Sequence, residues 1–122
     1  MPFAFQSLDI YQMAKSLSVS CYKKTASFPN SERFALTSQI NRAAVSVPAN
    51  IVEGYSRRTV KDKCHFLNIA YGSLMELLCE FEISKELGYI TDEDLNALSS
   101  QVELLAIKIS VFNRKLAESE QR

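Results

Sequence analysis

The stretch Ser38–Arg58, SQINRAAVSVPANIVEGYSRR, decides how the rest of the chain is read. Its small and apolar residues Ile40, Ala43, Ala44, Val47, Ile51 and Gly54 recur at steps of three and four, the period of one helix face. Pro48 falls in the middle of that helix. A proline there withdraws the amide that would bond the Ala44 carbonyl, and its ring crowds the same carbonyl, so a kinked helix is predicted. Asn50 and Glu53 follow three positions apart, on one side of the helix. They have two readings. Either they form a polar site beside the kink, or their side chains satisfy backbone groups freed by Pro48 or link to Arg42 or Arg57.

Upstream, Ser7 is the expected N-cap of a first helix over about 8–26, with Asp9 in its first turn, where a carboxylate suits the positive helix end. Ile10, Met13, Ala14, Leu17 and Cys21 share one face. Phe28–Pro29–Asn30 ends it, because the residue before a proline avoids the helical region. Asn30 or Ser31 then caps a second helix over about 32–58. Thr59 with Asp62 three residues on resembles a capping box and places a tight break at Arg58–Thr59.

Downstream, the third helix, about 60–88, carries Phe66, Leu67, Ala70, Tyr71, Leu74, Leu77, Leu78 and Phe81 on an arc of about 140°, which Met75 widens to about 180°. That exceeds what a helix packed only against its own chain requires, so a second buried contact, with another subunit, is expected. Gly88 ends the helix. Thr91 and Asp94 open a fourth, about 92–117, with Leu95, Leu98, Val102, Leu105, Ile109, Phe112 and Leu116 in three-four alternation and a polar tail expected to fray. Three glycines, three prolines and no strand pattern complete the picture. The prediction is all-α: one domain, residues 1–122, folded as an antiparallel up-down-up-down four-helix bundle.

The central stretch closely resembles the core motif of the 23S rRNA intervening-sequence protein family, a family of small four-helix bundles. Tyr11–Ala14 resembles the family's opening aromatic-x-x-Ala turn, and Phe28–Pro29 its first inter-helix loop. Phe66–Leu74 and Leu87–Tyr89 resemble the start and end of its third helix. The resemblance covers roughly residues 5–115. It implies a bundle that binds or scaffolds rather than one that catalyses a defined reaction, and an assembly into a cyclic homopentamer. More distantly similar bundle proteins serve as accessory factors to the reverse transcriptases of diversity-generating retroelements, which implies a nucleic-acid ligand.

Charge adds to this. The formal net charge is zero, yet residues 1–63 carry nine Lys/Arg against four Asp/Glu, and residues 64–122 five against ten. Such a split serves an anionic partner, head-to-tail contact between copies, or complementary charges between helices of one chain. Arg57, Arg58, Lys61 and Lys63 put four cations within seven residues at a helix junction, with Arg42 some turns earlier and Lys15, Lys23 and Lys24 as candidate neighbours. Cations of this kind contact phosphates without reading sequence. Tyr55 is the nearest aromatic for stacking on a base. The candidate nucleic-acid surface is therefore Arg42, Arg57, Arg58, Lys61 and Lys63, and Pro48, Asn50, Glu53 and Gly54 form the structural motif beside it.

Catalytic patterns are missing. His65 is the single histidine, so the paired Glu-x-x-His motifs of a di-iron bundle cannot be built, and Asp62-x-x-His65 is one weak pair. Helical ribonucleases of the HEPN class place an arginine five positions before a histidine; here that position is Val60. There is no glycine-rich phosphate loop and no Gly-x-Ser-x-Gly elbow. Three scattered cysteines, Cys21, Cys64 and Cys79, suit neither a disulfide framework nor a zinc site, and Cys21 and Cys79 are expected in the core. No apolar run approaches the ~18 residues of a membrane span and no leader is recognisable, which makes a cytoplasmic protein the expectation. The sequence thus predicts a non-enzymatic, cofactor-free oligomer that binds RNA or DNA. The alternative is a module that binds only protein.

Overall fold

Stop signals around 28–30, 57–59 and 87–91 divide residues 3–120, which the computed structural model describes, into four helices: α1 Asp9–Thr25, α2 Leu36–Ser56, α3 Val60–Glu86 and α4 Asp92–Glu120. Short 3₁₀ turns, Ala4–Ser7 and Asn30–Glu32, precede α1 and α2, and no strand occurs among the described residues. Helix packing joins α1 to α2, α2 to α3, α3 to α4, and α1 to α4, which closes the bundle.

Two starts follow the threonine prediction. Thr59 Oγ1 accepts the Asp62 amide at 3.1 Å. Thr91 Oγ1 accepts the Asp94 amide at 3.0 Å while Asp94 Oδ2 accepts the Thr91 amide at 3.1 Å, a reciprocal capping box. Gly88 closes α3 at φ +79°, with the Tyr89 amide donating to the Ser84 carbonyl and the Gly88 amide to Lys85, the paired bonds of a left-handed helix stop. Residues 117–120, expected to fray, continue α4.

The other two starts correct the expectation. Ser7 does not cap α1; it ends the first 3₁₀ turn and donates to the Ala4 carbonyl, so Leu8 stands at the N-cap with no side-chain bond. Neither Asn30 nor Ser31 caps α2. The chain turns through Asn30–Glu32 and leaves helical geometry at Ala35 before α2 begins at Leu36. Glu32 is the reason: one carboxylate oxygen accepts the Leu36 amide at 3.4 Å, and the other accepts the Tyr89 hydroxyl at 2.8 Å, tying this turn to the α3–α4 loop.

The apolar stripe of the central stretch behaves as read. Ile40, Ala43, Ala44, Val47, Ile51 and Gly54 are all buried, and α2 is continuous across Pro48. Leu17, Leu74, Leu77, Val102, Leu105 and Ile109 meet them in the core. Each such large aliphatic contributes about 1.5–3 kcal/mol of apolar burial.

Helix α3 departs from its expected stripe. Leu67, Ala70, Leu74, Leu77 and Phe81 are buried, but Tyr71 and Met75 are exposed, while Ser73, Glu80 and Ser84 lie inside. The buried arc has turned toward the α2 side. Small residues on α2 permit this: a Cβ on Gly54 would meet the Lys63 carbonyl oxygen at 3.1 Å, and the Ser46 and Ser73 hydroxyls bond each other at 2.8 Å. Cys79 consequently faces solvent instead of the core, whereas Cys21 is buried and its thiol is pushed up to about 12, by burial first and the nearby Glu80 charge second. A thiol reagent at pH 8 is expected to label Cys64 and Cys79 in the native protein and Cys21 only after unfolding. Rapid labelling of all three would show that the core at Cys21 is open.

By length and composition alone α4 is apolar enough to cross a membrane, with 28% of its most apolar window buried, although Glu103 and Lys108 interrupt its apolar run. Its inner face packs through Leu98, Val102, Leu105, Ala106 and Ile109, and Leu104 and Ile107 are left exposed.

Candidate nucleic-acid interface

The start of α1, the end of α2, the start of α3 and the end of α4 meet at one end of the bundle. Leu8, Ile10, Ile51, Gly54, Leu67, Phe112 and Leu116 line a small apolar cavity there. The three-residue link Arg57–Thr59 joins α2 to α3 at this end. At the opposite end Thr25 bonds Asn41, and Lys24 pairs with Asp94 at 2.9 Å, which holds that carboxyl below the usual range.

The four junction cations are brought together but are not alike. Arg57 Nη2 pairs with Glu53 Oε2 at 2.9 Å, and its guanidinium lies 4.6 Å from the centre of the Phe66 ring. Lys63 Nζ donates to the Tyr55 carbonyl at 3.0 Å and sits 5.6 Å from the Tyr55 ring. Arg58 and Lys61 are exposed and have no ion pair among the described residues. Two cations are thus anchored to the junction, and two project from it.

Arg42 lies elsewhere. It precedes Arg58 by sixteen residues, roughly 24 Å along a helix, and shares a shallow polar groove with Gln39, Ser46, Ser73 and Glu76. Lys23 and Lys24 belong to the far end, and Lys15 lies over its own helix's Tyr11 ring at 5.5 Å.

Asn50 and Glu53 do not converge on a common site. Glu53 reaches forward to Arg57, the pairing anticipated. Asn50 Nδ2 donates back to the Ser46 carbonyl at 2.8 Å and lies 2.9 Å from the Ser46 hydroxyl. That extends the α2–α3 hydroxyl contact instead of serving the carbonyl that Pro48 frees. The freed carbonyl belongs to Ala44, and its partner is Ser18 on α1, whose hydroxyl lies 2.6 Å away. Pro48 is repaired from a neighbouring helix. His65 is exposed, packs its ring edge-on with Phe66, and lies in no cluster of three metal-type ligands among the described residues.

Sequence reasoning missed Ser18, the Ser46–Ser73 contact and the buried Glu80. All three depend on which helix faces which, and no spacing within a single helix reports that.

Comparison with known proteins agrees with this architecture. The crystal structure of a protein of unknown function from the S23 ribosomal protein family of Bacteroides thetaiotaomicron superposes with a TM-score of 0.77 at 22% identity, covering 86% of this chain and 95% of that one. At that identity the likeness shows the fold alone. No curated protein matches the chain. The family model for the 23S rRNA-intervening sequence protein matches residues 6–110, and the chain belongs to that family.

Proposed function

We propose that this chain is a non-enzymatic accessory protein that binds RNA or DNA through the α2–α3 junction, as a homo-oligomer in which the junction is repeated. The observation that carries the reading is the pair of projecting cations, Arg58 and Lys61, held beside the anchored Arg57 and Lys63. Glu53 offsets much of Arg57, so the contact with phosphate falls chiefly to Arg58, Lys61 and Lys63. Tyr55, more than a third exposed, stands beside Lys63 as a surface on which a base can stack. The family's name, taken from an intervening sequence of 23S rRNA, supports an RNA setting.

Self-association is part of the proposal. Tyr71 and Met75 on α3 and Leu104 and Ile107 on α4 remain exposed, and Tyr71 and Ile107 line one shallow groove. A ring, with five subunits as the expected number, multiplies a weak phosphate contact through multivalency. The second reading, a module that binds only protein, draws on the same apolar face and on Phe34, which is 89% exposed.

Neutralising Arg58 and Lys61 together is expected to weaken binding by a similar factor for unrelated sequences. It should also flatten the slope of log affinity against log salt by roughly one per cation removed. Fluorescence anisotropy across a salt series reads both. A double variant that binds as the wild type removes the junction as the site. Light scattering on chromatographed, untagged protein, with absorbance at 260 and 280 nm, separates the two readings. A ring-sized mass whose nucleic acid is stripped by high salt supports the first, and a clean oligomer with salt-insensitive protein binding supports the second.

A further inference from the structure

The most anomalous side chain lies away from the basic junction. Glu80, in the second half of α3, is 4% exposed, and among the described residues neither of its carboxyl oxygens receives a hydrogen bond while it is ionised; only the neighbouring Glu76 carboxyl is within reach to share a proton with it. A buried carboxylate with no cation and no donor is among the least tolerable groups in a core; a neutral carboxylic acid is far cheaper to bury. Among the described residues no cation pairs with it. The facing titratable group from α1 is Cys21, whose thiol feels the Glu80 charge, and the nearest on α3 is Glu76, one turn earlier. From α2, Arg42 shares a groove with Glu76 but makes no ion pair with either carboxylate. The acids at the start of α4 are occupied, Asp92 with Lys85 and Asp94 with Lys24.

We propose that Glu80 is a proton-operated lock on the half of the bundle away from the junction: with its proton it packs, and without it the packing of α3 against the half of the core that holds Cys21 opens. The surroundings weaken this half in a way that suits opening. Ser84, fully buried beside it, spends its hydroxyl on the Glu80 carbonyl of its own helix at 2.7 Å, and so gives the carboxyl no donor. Burial first, then the Glu76 charge, and then the hydrogen bond that the two carboxyls share when one is protonated, push the Glu80 carboxyl from 4.5 up to about 7. The folded state therefore holds a proton that the unfolded chain has released between those values. The closed form is most favoured below about 4.5 with respect to this group, and that advantage is lost as pH rises through about 7.

Amide hydrogen exchange on the full chain between pH 5.5 and 8.5, corrected for the intrinsic rate, tests the lock. Protection over residues 17–25 and 74–84 is expected to fall by about ten-fold or more across that range, with residues 50–67 at the junction changing less. Glu80→Gln, which keeps the shape and removes the charge, should hold protection level, and Glu76→Gln should move the transition to lower pH. Protection that is independent of pH in the wild type, or that declines equally in Glu80→Gln, overturns the proposal. Titration of the wild-type glutamate carboxyl carbons by NMR decides the matter without any variant. A Glu80 resonance moving near neutral pH supports the lock, and one moving in the ordinary carboxylate range ends it.

Discussion

Ser18→Ala is expected to destabilise the protein by about 1–3 kcal/mol, and most of that cost should vanish when Pro48 is also replaced by alanine. The Ser18 hydroxyl carries one hydrogen and lies near two carbonyls, 2.6 Å from Ala44 and 3.1 Å from Ala14 of its own helix. The Ala14 carbonyl has its helical donor already. The Ala44 carbonyl has lost its own to Pro48, and Ala44 is fully buried, so no water replaces it cheaply. Alanine at 18 leaves that carbonyl orphaned. Alanine at 48 restores an amide that donates to Ala44 from within α2, and in that background Ser18 has little left to do. Urea unfolding of the four proteins at constant m-value measures the coupling. If Ser18→Ala costs the same with and without Pro48, the hydroxyl does not serve the freed carbonyl, and another partner must be sought.

This pair also marks where the sequence is legible and where it is not. Helix number, type and most boundaries follow from local signals: three-four spacing, Thr59 and Thr91 as caps, and Gly88 as the stop. Those signals are local because helix geometry is local. That Pro48 frees the Ala44 carbonyl is equally readable. That Ser18 repairs it is not, because the two residues are 26 apart and meet only once α1 has docked on α2. Asn50, the nearer and more polar candidate, bonds Ser46 instead.

Helix α3 teaches the same lesson on a larger scale. An apolar arc drawn from side-chain type centres on the bulkiest residues, whereas the arc actually buried is set by how close α2 comes. Gly54 and Ser46 let α2 come close on the Ser73 side, so Ser73 is covered, and Tyr71 and Met75 are left to solvent. The basic junction was fully legible as a cluster, since its four cations lie within seven residues. The division of labour within it was not. Which cation is anchored depends on Glu53, Phe66 and the Tyr55 carbonyl, and these take up their places only when α2 and α3 fold back on each other.

The same closeness makes the two helical glycines respond in opposite directions. Alanine is about 1 kcal/mol more favourable than glycine in a helix interior, a gain that applies in full at Gly72 in the middle of α3 and less at Gly54 in the last turn of α2. At Gly72 a new methyl would meet nothing within 4 Å, so Gly72→Ala is expected to stabilise by about 0.5–1 kcal/mol. At Gly54 the methyl would meet the Lys63 carbonyl oxygen at 3.1 Å and the Phe66 Cβ at 3.3 Å. Neither atom can rotate away, because one is backbone and the other is the first atom of its side chain. Relief requires α3 to shift as a body, and such overpacking costs about 1–3 kcal/mol, enough to cancel or outweigh the helix gain. Gly54→Ala should therefore lower the urea midpoint while Gly72→Ala raises it, and Gly54→Leu should fall much further. The shift has a functional consequence as well. Lys63 belongs to the turn of α3 that must move, so Gly54→Ala should also weaken the salt-dependent binding proposed for the junction, and Gly72→Ala should leave it intact. A Gly54→Ala protein as stable as Gly72→Ala would mean that α2 and α3 do not depend on glycine for their approach. Glycine-permitted closeness would then no longer explain why Ser73 is buried.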